Sequence, residues 1–71
     1  MPDKAILIVD GDKASLNFLV HTLQKQQYSV LGAGSGKAGL IFTWRDRPDL
    51  IIFDPAIQDI SHEDFFTKIT A

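Results

Sequence analysis

Three strand-like runs of apolar residues alternate along the chain with segments of amphipathic pattern. Ala5 to Val9 and Leu50 to Phe53 are unbroken aliphatic or aromatic runs, and Tyr28 to Leu31 is a weaker one. Unbroken apolar runs of this length are typical of strands that are buried on both faces of a sheet. The pattern therefore predicts three strands, of which the first and third are covered on both sides.

A helix is predicted after each strand. Over residues 13–26, apolar side chains recur at helical spacing, at Leu16, Leu19, Val20 and Leu23. Asp12 precedes this helix as its N-cap. A second helix is predicted over residues 36–46 with Ser35 as its cap, and a third follows Ser61, which opens a Ser-x-x-acid capping box.

The glycine-rich residues 32–36 are predicted to form a loop between the second strand and the second helix. The resulting order is βαβαβα, which is typical of a parallel sheet with helices on both faces. The chain is thus expected to form one α/β domain over residues 1–71. Its core should be thin, because a chain of this size buries a smaller fraction of its surface than a larger domain does.

Composition narrows the classes of function. The chain has no cysteine and a formal net charge of −2, so disulfides, thiol catalysis and a strongly basic nucleic-acid-binding surface are excluded. The apolar runs are far shorter than the roughly 20 residues of a membrane-spanning helix, and the first residues lack the layout of a signal peptide. We therefore expect no membrane insertion, no direct contact with nucleic acid and a cytoplasmic location.

Carboxylates follow two of the predicted strands. Asp10 and Asp12 come directly after the first strand, and Asp54 comes after the third. In an open parallel sheet the functional crevice lies beyond the carboxyl ends of the strands, so these acids converge if the first and third strands are neighbours. Such a cluster repels itself unless a hard cation such as Mg²⁺ neutralises it. One carboxylate of the cluster could also act as a nucleophile toward a phosphoryl group.

A resemblance to a known family extends over three segments of the chain, residues 4–12, 28–40 and 48–54. Together they resemble the first three strand segments of a response-regulator receiver domain of two-component signalling. The resemblance implies a flavodoxin-like fold with a parallel sheet ordered 2-1-3. The first helix should then lie on one face, and the second and third helices on the other. It implies a signalling segment rather than an enzyme, and a histidine kinase or phosphotransfer protein as partner.

The resemblance also assigns roles to individual residues. Asp54 holds the position that accepts a phosphoryl group, and Asp10 holds that of the first acid of a Mg²⁺-binding pair. The backbone carbonyl of Ala56 matches a third metal contact. Gly11 stands where the second acid of the pair is usual; Asp12 could replace that acid, although its interpretation as a helix cap is favoured. We therefore expect Mg²⁺ to bind weakly, if at all.

The resemblance covers the first three β–α units, and the sequence ends at Ala71, in the third predicted helix. A receiver continues with a Thr or Ser and a Lys on later strands, so the chain is expected to be the N-terminal half of a receiver domain. This expectation predicts that the 71-residue chain is weakly phosphorylated or not phosphorylated. It also predicts that the chain self-associates through its third strand, whose outer side lacks the usual neighbour.

Two alternatives remain open. The chain could be a degenerate receiver that acts as a docking or dimerisation module, which requires only its surface and an intact fold. It could also be a nucleotide-binding βαβ unit, because Gly34, Gly36 and Gly39 form a G-x-G-x-x-G pattern between a strand and a helix. The frame of that pattern is shifted from the end of the strand, which makes it the less favoured alternative.

Overall fold

The computed structural model describes residues 4–70; residues 1–3 and Ala71, which belong to the predicted domain, lie outside the described residues. The elements are β1 (Ala5–Val9), α1 (Lys13–Lys25), β2 (Ser29–Ala33), α2 (Gly36–Asp46), β3 (Leu50–Phe53) and α3 (His62–Thr70). This order confirms the predicted βαβαβα arrangement. Within residues 4–70, none of the helices has the length and apolar character that crossing a membrane requires.

The three strands form one sheet in the order β2-β1-β3, and both pairings are parallel. The order 2-1-3 that the resemblance implied is therefore confirmed. Leu7 at the centre of β1 pairs with Leu31 on one side and with Ile51 on the other. Because β1 is bonded along both edges and covered on both faces, its residues from Ile6 to Val9 are buried.

The main core lies on the face of the sheet that α2 and α3 cover. Its fully or nearly buried members are Leu7, Val9, Ala33, Leu40 and Phe65. Alternate residues of a strand point to opposite faces, and the alternate residue Gly32 lies against Leu16 and Val20 of α1. The first helix therefore covers the opposite face, as expected.

The three helix starts are capped by the residues that the sequence indicated. The backbone N–H of Ser15 donates to Asp12 Oδ2 at 3.2 Å. The N–H of Ala38 donates to Ser35 Oγ at 3.1 Å, and that of Asp64 donates to Ser61 Oγ at 3.1 Å. Such caps satisfy N–H groups that have no partner within the helix. The first helix ends one residue earlier than predicted.

The second strand extends further than predicted. It includes Gly32 and Ala33, which the glycine content assigned to a loop. A Cβ at Gly32 would lie 3.2 Å from side-chain atoms of both Leu16 and Val20. Glycine is therefore present here because α1 packs closely on the strand, and the prediction of a loop beginning at Gly32 was wrong.

The prediction that β3 is covered on both faces was also wrong. Ile51 and Phe53 pack against the main core, but Leu50 and Ile52, on the other face, are 53% and 37% exposed. The first helix packs on β1 and β2. An unbroken apolar run therefore identified the strand correctly but overestimated its cover.

Candidate functional site

The two acids that follow β1 and β3 lie on neighbouring strands. Val9 pairs with Phe53 in the parallel ladder, so Asp10 and Asp54 are the next residues of adjacent strands. The Asp54 N–H continues the ladder by donating to the Val9 carbonyl at 2.8 Å. On the other side, the Asp10 N–H donates to the carbonyl of Ala33 at 3.0 Å. The sheet thus fixes the backbone of both acids at its carboxyl edge.

Asp10 is the buried member of the pair, with 7% of its surface exposed. Its Oδ1 accepts the backbone N–H of Asp12 at 2.9 Å. Burying a carboxylate is costly unless hydrogen bonds or a cation compensate its charge. Asp10 is buried at the edge of a parallel sheet, and the Asp12 N–H compensates its charge only in part. A carboxylate in this environment favours a bound cation.

Asp54 begins a tight turn. Its Oδ1 accepts the N–H of Ala56 at 3.1 Å, and its carbonyl accepts the N–H of Ile57 at 3.1 Å. Within residues 4–70, nothing donates a hydrogen bond to the second carboxylate oxygen, Oδ2. The turn therefore fixes the orientation of the carboxylate and leaves one oxygen free for a ligand.

A pocket of about 490 Å³ opens at this edge of the sheet. Its lining comes from the loops after the three strands, and consists of Gly11, Asp12, Gly34, Ser35, Asp54, Ala56, Ile57, Gln58 and Asp59. The pocket therefore brings together three of the predicted site residues, namely Asp12, Asp54 and Ala56. The buried Asp10 does not line it.

Asp12 caps α1, which confirms the favoured interpretation of this residue. Its Oδ2 accepts from the Ser15 hydroxyl at 2.7 Å as well as from the Ser15 N–H. The hydrogen bond from the hydroxyl, followed by that from the N–H, lowers the pKa of the Asp12 carboxyl below its ordinary value. One carboxylate oxygen is thus occupied by the helix cap.

The backbone conformation at position 11, where the resemblance leads us to expect a second acid, does not require glycine. Its φ is not in the left-handed region. A Cβ at this position would lie 3.7 Å from the Gly34 carbonyl oxygen and from Ile57 Cδ1, which is ordinary van der Waals contact. The space around position 11 therefore accepts a Cβ. Among residues 4–70 there is no group of three or more acidic, histidine or cysteine side chains that could hold a metal ion.

The donors nevertheless fit a hard cation in kind. Asp10 and Asp54 carry carboxylate oxygens and Ala56 carries a carbonyl oxygen. Mg²⁺ prefers oxygen ligands, usually one or two carboxylates with several waters. The limited number of charged donors is the physical basis for the expectation of weak binding.

Asp59 is a residue of the pocket that the sequence did not reveal. Its Oδ1 accepts the N–H of Gly36 at 2.8 Å, and its Oδ2 accepts the N–H of Lys37 at 3.0 Å. These bonds, that from Lys37 first, lower the pKa of the Asp59 carboxyl. The partners are 23 and 22 residues away, so no local pattern could have indicated the contact.

The same contact bears on the G-x-G-x-x-G pattern. In a nucleotide-binding unit, a phosphate occupies the N–H groups at the start of the helix. Here the N–H groups of Gly36 and Lys37 donate to Asp59, and that of Ala38 donates to Ser35. The anion site at the start of α2 is therefore filled by the protein's own side chains, which disfavours the nucleotide-binding alternative.

Comparison with known proteins identifies relatives of this fold and sequence. The chain is 33% identical over 52 residues to the alkaline phosphatase synthesis transcriptional regulatory protein PhoP of Bacillus subtilis, in a match that covers 73% of this chain and 22% of that protein. No family model matches the chain.

Solved structures agree in fold. The chemotaxis response regulator CheY4 of Vibrio cholerae matches 93% of this chain with a TM-score of 0.87 and 27% identity. A response regulator receiver domain protein from Clostridium thermocellum matches 94% of this chain with a TM-score of 0.83 and 29% identity. The chain spans 55% of the length of each of these structures.

The strand order, the paired acids at the sheet edge and these matches agree with one another. The chain belongs to the response-regulator receiver family, and it contains three consecutive β–α units of the receiver domain.

Proposed function

We propose that Asp54 is the phosphoacceptor of this receiver segment. The observation that carries the proposal is the Val9–Phe53 pairing, which puts the buried Asp10 beside Asp54 at the carboxyl edge of the sheet. The donor of the phosphoryl group would be the phosphohistidine of a histidine kinase or phosphotransfer protein. In this role the chain receives a signal and does not turn over a substrate.

The geometry of Asp54 supports a nucleophilic role. One carboxylate oxygen is held by the Ala56 N–H, so the other can attack phosphorus as the bond from phosphorus to the donor's nitrogen breaks. The product is an aspartyl phosphate, and the imidazole leaves with the electron pair of the broken bond. The pocket has room for the transferred group.

Asp10, Asp54 and the Ala56 carbonyl would hold Mg²⁺ in this proposal. When bound, the ion supplies positive charge to the oxygens of the transferring group. Because Gly11 contributes no carboxylate, we propose that the metal is weakly held and that phosphorylation is correspondingly slow.

Incubation with acetyl phosphate and Mg²⁺, followed by intact-mass analysis, tests the proposal. We expect a small phosphorylated fraction in the 71-residue chain, a larger fraction in a Gly11→Asp variant and none in a Gly11→Asp, Asp54→Asn double variant. One lost charge stabiliser is typically worth on the order of 10² in rate. Modification that persists without Asp54, or no modification of the Gly11→Asp variant, would contradict the proposal.

A second candidate function is self-association, and the exposed side of β3 favours it. Leu50 and Ile52 form an apolar pair on an edge strand, and edge strands carry backbone groups that can pair with another chain. We propose that two copies meet at β3 about a two-fold axis, which would pair the two strands antiparallel. This association is compatible with the phosphoacceptor role, since the pocket lies at the ends of the strands.

A further inference from the structure

The loop between β3 and α3, residues 54–61, is fastened at its far end by a carboxylate. Both oxygens of Asp59 accept backbone N–H groups from the first turn of α2, at 2.8 and 3.0 Å. A carboxylate that accepts two backbone N–H groups forms charge-assisted hydrogen bonds, which are stronger than neutral ones. The start of a helix also favours a negative charge. The contact therefore joins two segments that are distant in sequence.

Apolar packing holds the same junction. A Cβ at Gly36 would lie 2.0 Å from Ile60 Cγ2 and 3.0 Å from Asp59 Oδ1. The loop thus rests directly on the backbone of α2, at a distance that only glycine permits. Ile57 and Ile60 are both packed against the main core.

From these contacts, we propose that Asp59 is a positioning residue of the pocket. By fastening the loop to α2, its carboxylate holds the turn that presents the Asp54 carboxylate and the Ala56 carbonyl. The proposal rests on the proposed function for its consequence in metal binding, but the positioning itself is independent of that function.

The position of Ala56 in the chain explains why the fastening matters. On one side, Ala56 is held by the hydrogen bond from its N–H to Asp54. On the other side, the next fixed points are the packed Ile57 side chain and the Asp59 carboxylate. Residues 54–61 contain no helix or strand, so loss of the Asp59 bonds leaves the turn with fewer restraints and more conformations.

Amide hydrogen exchange measured by NMR tests this role in Asp59→Ala and Asp59→Asn variants of the full chain. The amides of Ala56 and Ile57 report on the turn because they donate to Asp54. We expect their exchange to accelerate about tenfold in Asp59→Ala, because the loop loses two charge-assisted hydrogen bonds and opens more readily. Asp59→Asn retains one acceptor oxygen and should accelerate exchange less.

The control is Asp46→Asn, which makes the same chemical change at the other end of α2, where the side chain is paired with Arg45 at the surface. It should leave the amides of Ala56 and Ile57 unchanged. The amides of β1 provide an internal reference, because general destabilisation would accelerate them too. If Asp59→Ala does not fold, Asp59→Asn decides by the same criterion.

A Mg²⁺ titration of the same samples separates this inference from the proposed function. We expect Asp59→Ala to reduce several-fold the changes in NMR chemical shift that Mg²⁺ causes at Asp10 and Asp54. If the unaltered chain shows no such shifts, the proposed function fails while the exchange data still decide the role of Asp59. Unchanged exchange at Ala56 and Ile57, or equal acceleration at β1, would overturn the inference.

Discussion

The aromatic ring of Phe65 lies against that of Phe53, with the ring centroids 4.7 Å apart and the planes tilted by 49°. The contact joins α3 to β3, the strand that Asp54 follows. Phe65 is fully buried, and it also contacts Phe66 at 5.2 Å between centroids. Tilted aromatic pairs at these separations add to the free energy gained by burial. The third helix is therefore packed onto the strand that carries the proposed phosphoacceptor.

Phe65→Ala should lower the free energy of unfolding by about 3–5 kcal/mol, because it removes a buried ring and leaves a cavity. That amount approaches the whole stability of a small domain, so we expect the variant to be largely unfolded. Phe18→Ala is the matched control, since Phe18 is 69% exposed, and its effect should be within about 0.5 kcal/mol. Urea unfolding followed by circular dichroism measures both, and similar losses in the two variants would contradict this packing.

Gly39→Ala should destabilise the protein even though alanine favours helices. A Cβ at Gly39 would lie 2.7 Å from Val9 Cγ2 and 3.1 Å from Phe65 Cε2. Overpacking of this kind costs about 1–3 kcal/mol, which outweighs the helix propensity gain of up to about 1 kcal/mol. A Cβ at Gly34 would meet nothing within 4 Å, so Gly34→Ala should be neutral or slightly stabilising. Thermal unfolding of both variants tests the contrast, and a stabilised Gly39→Ala protein would refute it.

The extent to which the sequence predicted the fold differed between elements. Every helix start was predicted from a capping side chain within three residues of its partner, as at Ser35 and Ala38. Local signals of this kind do not depend on tertiary structure. The end of β2 was predicted wrongly because glycine is required at position 32 by the close packing of α1 on the strand. A single sequence does not show which helix packs against which strand.

The residues of the candidate site also differ in whether the sequence could indicate them. Asp10 and Asp54 could be singled out because each directly follows an apolar run, and parallel strands bring their carboxyl ends together. Asp59 could not, because its role depends on the N–H groups of Gly36 and Lys37 on another element. The sequence pattern therefore predicted the residues at strand ends and missed the one that fastens the loop.

Stability should depend on pH through Asp59. The N–H groups of Lys37 and Gly36, with the charge of Lys37, lower the pKa of this carboxyl in the folded protein, whereas in the unfolded chain it should be about 3.9. The folded state therefore binds fewer protons in this range. The stabilising contribution is complete above about pH 5 and is lost as pH falls toward the folded pKa.

This dependence can be tested by thermal unfolding. The midpoint is measured from pH 6 down to pH 3 for the unaltered chain and for the Asp59→Asn variant. The difference between the two proteins should shrink as pH falls. Asp12, which lines the same pocket, is present in both proteins, so its titration largely cancels in the difference. A difference that stays constant over this range would show that the Asp59 charge contributes nothing.

Self-association through β3 should be sensitive to charge at Leu50. Size exclusion with light scattering should give the mass of a dimer for the chain at micromolar concentration, and a smaller mass for Leu50→Lys, because a charge would be buried in the paired edge. Ile41→Lys is the control, since Ile41 is comparably exposed, at 56%, but lies on α2. A compact monomer that unfolds cooperatively would rule out this association.

A calorimetric Mg²⁺ titration tests whether Asp10 and Asp54 form a metal site that glycine at position 11 weakens. The three proteins to compare are the unaltered chain, Gly11→Asp and Gly11→Asp with Asp54→Asn. We expect weak binding in the first and binding at least about tenfold tighter in the second, because a further carboxylate adds a charged oxygen ligand and a Cβ at position 11 would make only ordinary contacts. The third protein should lose that gain. Equal affinity in all three would show that neither the residue at position 11 nor Asp54 contributes to Mg²⁺ binding.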